Sequence, residues 1–153
     1  MIAALSIPCM AREPSMRRPL CAWGTPEPLW FLVVARKLVI KVTAGKDEPE
    51  RCNQAFTVAA TAVASGVPVS LWLTGEASWF GLPGRADEFS LPHAAPLADL
   101  LASVLALGTV TICTQCAARR DIGPQDVIAG IRIAGAATFV SEVTDDDAQA
   151  LVY

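Results

Sequence analysis

From Ala35 to the C-terminus, short β-branched runs alternate with stretches of helical period, and that alternation leaves few folds open. Lys37–Thr43 (KLVIKVT) has the length and composition of a strand. The stretch after it places Cys52, Ala55, Phe56, Ala59 and Val63 on one helical face, and Gly66 ends it. Asp47, with Glu50 three residues on, predicts a capping box at its start. Val67–Leu73 reads as a second strand, and Thr74 is expected to cap a short helix through Trp79 and Phe80. Leu97, Leu100, Leu101, Val104 and Leu105 mark a second long helix closed by Gly108. Thr109–Cys113 (TVTIC) reads as a third strand, Thr114–Arg120 as a turn or short helix, and Pro124–Ala129 as another short helix. Ile131–Ala134 then predicts a fourth strand, Ala136–Val143 a helix and Ala150–Tyr153 a short last strand. Strands alternating with helices in this way imply βαβ units, hence an α/β fold around a mainly parallel sheet of about five strands. Its crossovers should be right-handed.

The first 34 residues have a different character. Pro8, Pro14, Pro19, Pro26 and Pro28 interrupt them and no period persists, so they are expected to form a poorly structured N-terminal extension to a domain spanning 35–153. Met1 to Met10 is apolar but lacks a positive n-region, which makes it a poor signal peptide. Leu29–Ala35, the longest apolar run, stops at Arg36-Lys37 and is far shorter than the roughly 20 residues of a membrane helix.

A chain of 153 residues can bury a core without staples, and one that is 53% hydrophobic and 18% charged is too apolar to be disordered. A net charge of -3 with no basic stripe argues against nucleic acid as a partner. Five cysteines, an odd number, in a chain of this size do not read as a disulfide framework. The expected setting is a soluble protein in a reducing, cytoplasmic compartment, with no membrane partner.

In open parallel sheets, ligands bind beyond the carboxyl ends of the strands. Those ends run here into Thr43-Ala44-Gly45, Thr74-Gly75-Glu76, Cys113 and Gly135-Ala136. Gly45, Thr74, Gly75, Glu76 and Gly135 are therefore pocket candidates. His93, the one histidine, joins them as a group able to act as a base near neutrality; a lone histidine in a proline-flanked loop is more often simply exposed. Glu76 also reads as a first-turn acid of a short helix. Cys52 reads as a core residue, with a place near the pocket as the alternative because it lies in the first turn of its helix, and Trp72, Trp79 and Phe80 read as core or subunit-contact residues.

The sharpest chemical signal is Cys113-Thr114-Gln115-Cys116. A cysteine between a strand and a helix faces the positive end of the helix dipole, which favours the nucleophilic thiolate. Arg119 and Arg120, one to two turns on, are expected to add positive potential. Cys116 lies three residues on, placed to resolve an oxidised or persulfidated Cys113. The plainer alternative is two core cysteines beside a surface arginine pair. A structural zinc site needs four ligands and no second CxxC exists, so no metal is expected. A thioredoxin-like fold needs a proline in a later strand facing the pair, and only Pro124 follows, in a predicted loop or helix start. No phosphate loop, GxGxxG, HExxH or Ser-His-Asp pattern is visible, and no cofactor is expected.

Val110–Ile122 (VTICTQCAARRDI) resembles the DsrE/DsrF-like sulfur-relay family, which includes the TusD subunit. Ile112-Cys113 at a strand end, a small-residue helical turn and Arg119-Arg120 carry the likeness, which runs from Arg36 to the hydrophobic Leu151-Val152-Tyr153. The resemblance implies a three-layer α/β/α, Rossmann-like fold, assembly into trimers or hexamers, and a persulfide carried on Cys113. Cys116 departs from the simplest pattern of that family and adds the prospect of an internal disulfide. Relatives begin almost at the first strand, so the true start is expected at Val34, read from a GTG codon.

Three functions stay open on the sequence. The first is a sulfur carrier, or sulfurtransferase, in which Cys113 holds sulfane sulfur, Cys116 releases it, Arg119 and Arg120 stabilise the anion, and a donor or acceptor protein is the partner. The second is a thiol-disulfide switch using the same pair. The third is a non-catalytic oligomeric binding module with inert cysteines.

Overall fold

A computed structural model describes residues 37–153; the expectations for residues 1–34 lie outside them. Five strands form one sheet: β1 (Lys37–Val42), β2 (Val69–Leu73), β3 (Thr109–Cys113), β4 (Ile131–Ala134) and β5 (Ala148–Val152). They are ordered β4-β3-β2-β1-β5, and every pairing is parallel. The helices are α1 (Pro49–Ala64), α2 (Leu97–Leu107), α3 (Thr114–Ala118) and α4 (Ala136–Val143), with a 3-10 segment at Gly75–Gly81.

Strand alternation sorts the side chains into two faces. Ile40 and Val42 of β1, Leu71 and Leu73 of β2, and Val110 and Ile112 of β3 point to one side. They pack there against Cys52, Ala55, Phe56, Ala59 and Val63 of α1 and Leu97, Leu101 and Val104 of α2, forming the main core. The predicted apolar face of α1 is thus the buried one. The opposite face carries Val39, Lys41, Ser70, Trp72 and Thr111, and α4 covers it. Phe139 of α4 meets Trp72 edge-on at 5.3 Å between ring centroids. The Glu142 carboxylate accepts hydrogen bonds from Ser70 Oγ at 2.6 Å and Trp72 Nε1 at 2.9 Å, and pairs with Arg132. One face is sealed by hydrocarbon and the centre of the other carries a polar network under a single short helix, giving the three layers that the resemblance implied.

β3, β4, α4 and the last residue of β2 lie where the sequence placed them. The capping box does not form. Pro49 occupies the first turn of α1, Glu48 becomes the cap without a side-chain bond, and Asp47 Oδ1 accepts instead from the Gly45 amide at 2.7 Å. Thr74 precedes the 3-10 segment, but its hydroxyl donates to Val42 O at 2.9 Å rather than capping. Pro124–Ala129 forms turns, not a helix. Asp126 folds back there to accept from the Gly123 amide at 2.7 Å, and Gly130 follows with φ +93.

Candidate functional site

Cys113 is the last residue of β3 and pairs with Ala134, the last residue of β4. The chain leaves β3 through α3, whose Ala117 joins the core on the α1–α2 side. It leaves β4 through α4, on the other side of the sheet. Neighbouring strands whose successors part to opposite faces open a crevice at their carboxyl ends, the usual ligand position of doubly wound sheets. Cys113 sits at that fork, half-buried. Gly135 forms the facing wall: a Cβ added there would meet nothing nearer than Thr114 Oγ1 at 3.9 Å.

Cys113 also serves as the N-cap of α3. Burial pushes its thiol up, but the amides of Cys116 and Gln115, the Cys116 thiol and the charge of Lys41 outweigh it and hold the thiol below its ordinary value. The two amides lie in the first turn of α3, where their N–H dipoles favour the thiolate although the thiol makes no side-chain cap hydrogen bond. Lys41 was not singled out in the sequence. It lies on the α4 face of β1, half-buried, with Nζ 5.3 Å from the centroid of the Phe139 ring. The available signal was a cation flanked by Ile40 and Val42 inside a β-branched strand, an unusual position for a lysine.

Cys116 is buried, and its Sγ accepts the Gly75 N–H at 3.2 Å. Gly75 adopts φ +52, and a Cβ there would lie 2.6 Å from Thr43 O. Only glycine fits this turn, which brings a backbone amide to a sulfur atom. The next amide, of Glu76, donates to Thr43 O at 3.0 Å, so the ends of β1 and β2 are stitched together behind the thiol pair. Gly45 permits the approach, since a Cβ there would come within 2.8 Å of Glu76 Cβ. Arg120 bonds Glu76 Oε1 at 2.7 Å and Cys116 O at 3.3 Å. Arg119 is exposed and forms no ion pair among the described residues.

The structure therefore gathers Cys113, Cys116, Gly75, Gly135 and, through Arg120, Glu76; Thr74 and Gly45 support the turn. His93 lies elsewhere. It is exposed, with φ 62, and lines a depression with Glu50, Asn53, Gln54 and Thr57 of α1. Cys52 is sealed in the core, where burial and then Asp47 push its thiol up to about 12. Among the described residues no three His, Cys, Asp or Glu side chains form a group that could hold a metal ion, and no helix is long and apolar enough to cross a membrane.

Fold and site together define a doubly wound α/β domain with a thiol pair at its topological fork. The DsrE/DsrF-like family profile matches residues 36–149, and the chain belongs to that family. An uncharacterised protein of Methanocaldococcus jannaschii, MJ0760, is 27% identical over 106 residues, covering 69% of this chain and 38% of that protein. The chain thus spans well under half the length of that relative. The crystal structure of the YchN protein from Escherichia coli superposes with a TM-score of 0.63 at 18% identity, over 77% of this chain and 98% of that one. A protein of unknown function from Methanobacterium thermoautotrophicum, MTH1491, superposes with a TM-score of 0.54 at 7% identity, over 77% of this chain and 99% of that one. At these identities the two structures speak for the fold.

Proposed function

We propose that the protein carries sulfane sulfur as a persulfide on Cys113. The observation that carries this reading is the position of Cys113: a half-buried thiol at the fork of the sheet, facing the amides of Gln115 and Cys116 and the charge of Lys41. Family membership supports it. In loading, the Cys113 thiolate attacks the outer sulfur of a donor persulfide; the donor S–S bond breaks, the donor leaves as a thiolate, and Cys113–S–SH remains. An acceptor thiolate attacking that outer sulfur reverses the step and restores Cys113. Alternatively, the Cys116 thiolate attacks the inner sulfur, expelling HS⁻ and closing a Cys113–Cys116 disulfide, which an external thiol must then reduce. Arg120 fixes Glu76 and the carbonyl of Cys116, and Arg119 remains free to meet the donor or acceptor protein. The cytoplasm is the setting that keeps such a thiol pair reduced.

Incubation with a persulfide donor tests the reading. The expected product carries a mass increase of about 32 Da that Cys113→Ser abolishes. An unmodified wild-type chain under conditions that load a known carrier refutes it. The thiol-disulfide switch is favoured by a different observation, the Gly75 amide held on Cys116 Sγ, which stabilises that sulfur as the leaving thiolate of a disulfide. Its mark is a reversible loss of about 2 Da, with no sulfur gained.

A further inference from the structure

A partly open cavity lies between the β1–α1 loop and the segment that follows β2. It measures about 150 Å³ and is lined by Lys46, Glu76, Trp79, Phe80 and Arg85. That is the share of roughly five liquid waters. It is below the range of roughly 300–1,000 Å³ in which drug-sized ligands and cofactors bind, so an occupant must be about the size of an amino acid or smaller.

The walls are fixed. Phe80 packs edge-to-face with Phe56 at 6.0 Å and Phe89 at 5.6 Å, deep in the core. Trp79 lies against two guanidinium groups, Arg85 at 5.8 Å and Arg120 at 5.7 Å from its ring centroid. Arg120 is also tied to Glu76 at 2.7 Å, which leaves Lys46 and Arg85 as the cations facing the space. Both already serve a carboxylate supplied by the chain itself. Glu88 Oε2 receives Lys46 Nζ at 3.0 Å and Arg85 NH1 at 3.4 Å. The hydrogen bond and charge of Lys46, then the charge of Arg85, hold that carboxyl below its ordinary range. All three side chains are about half exposed, and exposed pairs of this kind exchange readily with competing ions.

We propose that this cavity binds a small carboxylate, no larger than an amino acid, whose anionic group takes the place of Glu88 between Lys46 and Arg85 and whose apolar body lies against Trp79 and Phe80. Glu88 is the resident competitor, so ligand charge and Glu88 charge act against each other. The cavity shares Glu76 and, across Trp79, Arg120 with the thiol site, but no cysteine lines it, and the carboxylate is bound without any step of the thiol chemistry.

Butyrate and its uncharged isostere butyramide are suitable probes on the full 153-residue chain. The readout is the indole N–H resonance of Trp79, assigned with Trp79→Phe. Butyrate is expected to shift it saturably and butyramide to leave it unmoved. Glu88→Gln should tighten butyrate about two- to fivefold, the scale of an exposed ion pair. Lys46→Met should weaken it about fivefold or more. Three results overturn the proposal: equal responses to the two probes, no saturation in the Glu88→Gln chain by about 100 mM, or unaltered butyrate binding in Lys46→Met. The three charged positions are half exposed, so these substitutions leave the core intact. Persulfide loading of Cys113, measured on the same chains, is expected to stay unchanged.

Discussion

Three cysteines in the described domain share one chemistry and live in three environments. Cys52 is surrounded by hydrocarbon beneath α1, Cys116 is buried but touched by an amide, and Cys113 is half-buried with amides and a cation around it. Peptide-resolved alkylation of the folded protein at pH 7 is expected to modify Cys113 first and leave Cys52 intact, because a thiol pushed up to about 12 offers almost no thiolate. Lys41 supplies the cation. The Cys113 thiol sits below its ordinary value, so its alkylation rate should reach half-maximum at a lower pH than that of an unperturbed cysteine. Lys41→Met removes the smallest of the lowering influences and should move that midpoint slightly upward, slowing modification at pH 7 with little change at pH 10. A midpoint that stays put assigns the effect to the helix amides and the Cys116 thiol. A motif scan finds Cys113 and Cys116 by their spacing, but it does not find Lys41, which lies 72 residues earlier by number and reaches the site only because β1 and β3 flank β2 in one sheet.

α4 has eight residues and no fully buried side chain, yet it covers the centre of one face of the sheet. Glu142 explains how. Burial pushes its carboxyl up, but Ser70, Trp72 and Arg132 together draw it below its ordinary value. A carboxyl lowered in the folded state contributes stability above its unfolded value, about 4.3, and loses that contribution as pH falls through the folded value. Hydrogen exchange of α4 and the fluorescence of Trp72 should therefore report loosening of this layer below about pH 4. Glu142→Ala should loosen it at every pH, leaving Ser70 Oγ and Trp72 Nε1 without their acceptor at about 1–3 kcal/mol each. Acid-insensitive exchange in α4 contradicts this account. Element existence was legible in the sequence because β-branched runs and helical periods are local. The ends were less so. Pro49 overrode an apparent capping box, and Asp126 took up the role of a turn acceptor where a helix was expected. The polar inner face of the sheet was not legible at all, since Ser70, Thr111 and Arg132 belong to three strands and become a network only once these are adjacent.

At the scale of the whole molecule, the order β4-β3-β2-β1-β5 makes the chain step outward along one direction and return to the far edge once. That single return creates the fork at Cys113, so the location of the site follows from topology before any side chain is considered. The sequence marked the carboxyl ends of β2, β3 and β4 to the residue and those of β1 and β5 to within one; it could not say which pair of ends would part. The domain leaves Leu107, Val140 and Val152 largely exposed, at 67%, 55% and 67%. Apolar residues on β5 and α4 at this exposure offer a surface for contact between copies, and we propose the trimer or hexamer that the family resemblance implies. Sedimentation equilibrium is expected to give a trimer or hexamer, and Val140→Glu to shift it toward the monomer; a monomeric wild-type chain at high concentration removes this expectation. One feature of the turn behind the thiols bears on any genetic survey of the protein. The atom that Gly75 contributes to sulfur is a main-chain nitrogen, and its conformation excludes every replacement side chain. Scanning substitutions at that position will register only as folding lesions and stay silent about chemistry. An ester linkage in place of that peptide unit, introduced by semisynthesis, deletes the donor while sparing the shape and so isolates what the nitrogen does for Cys116.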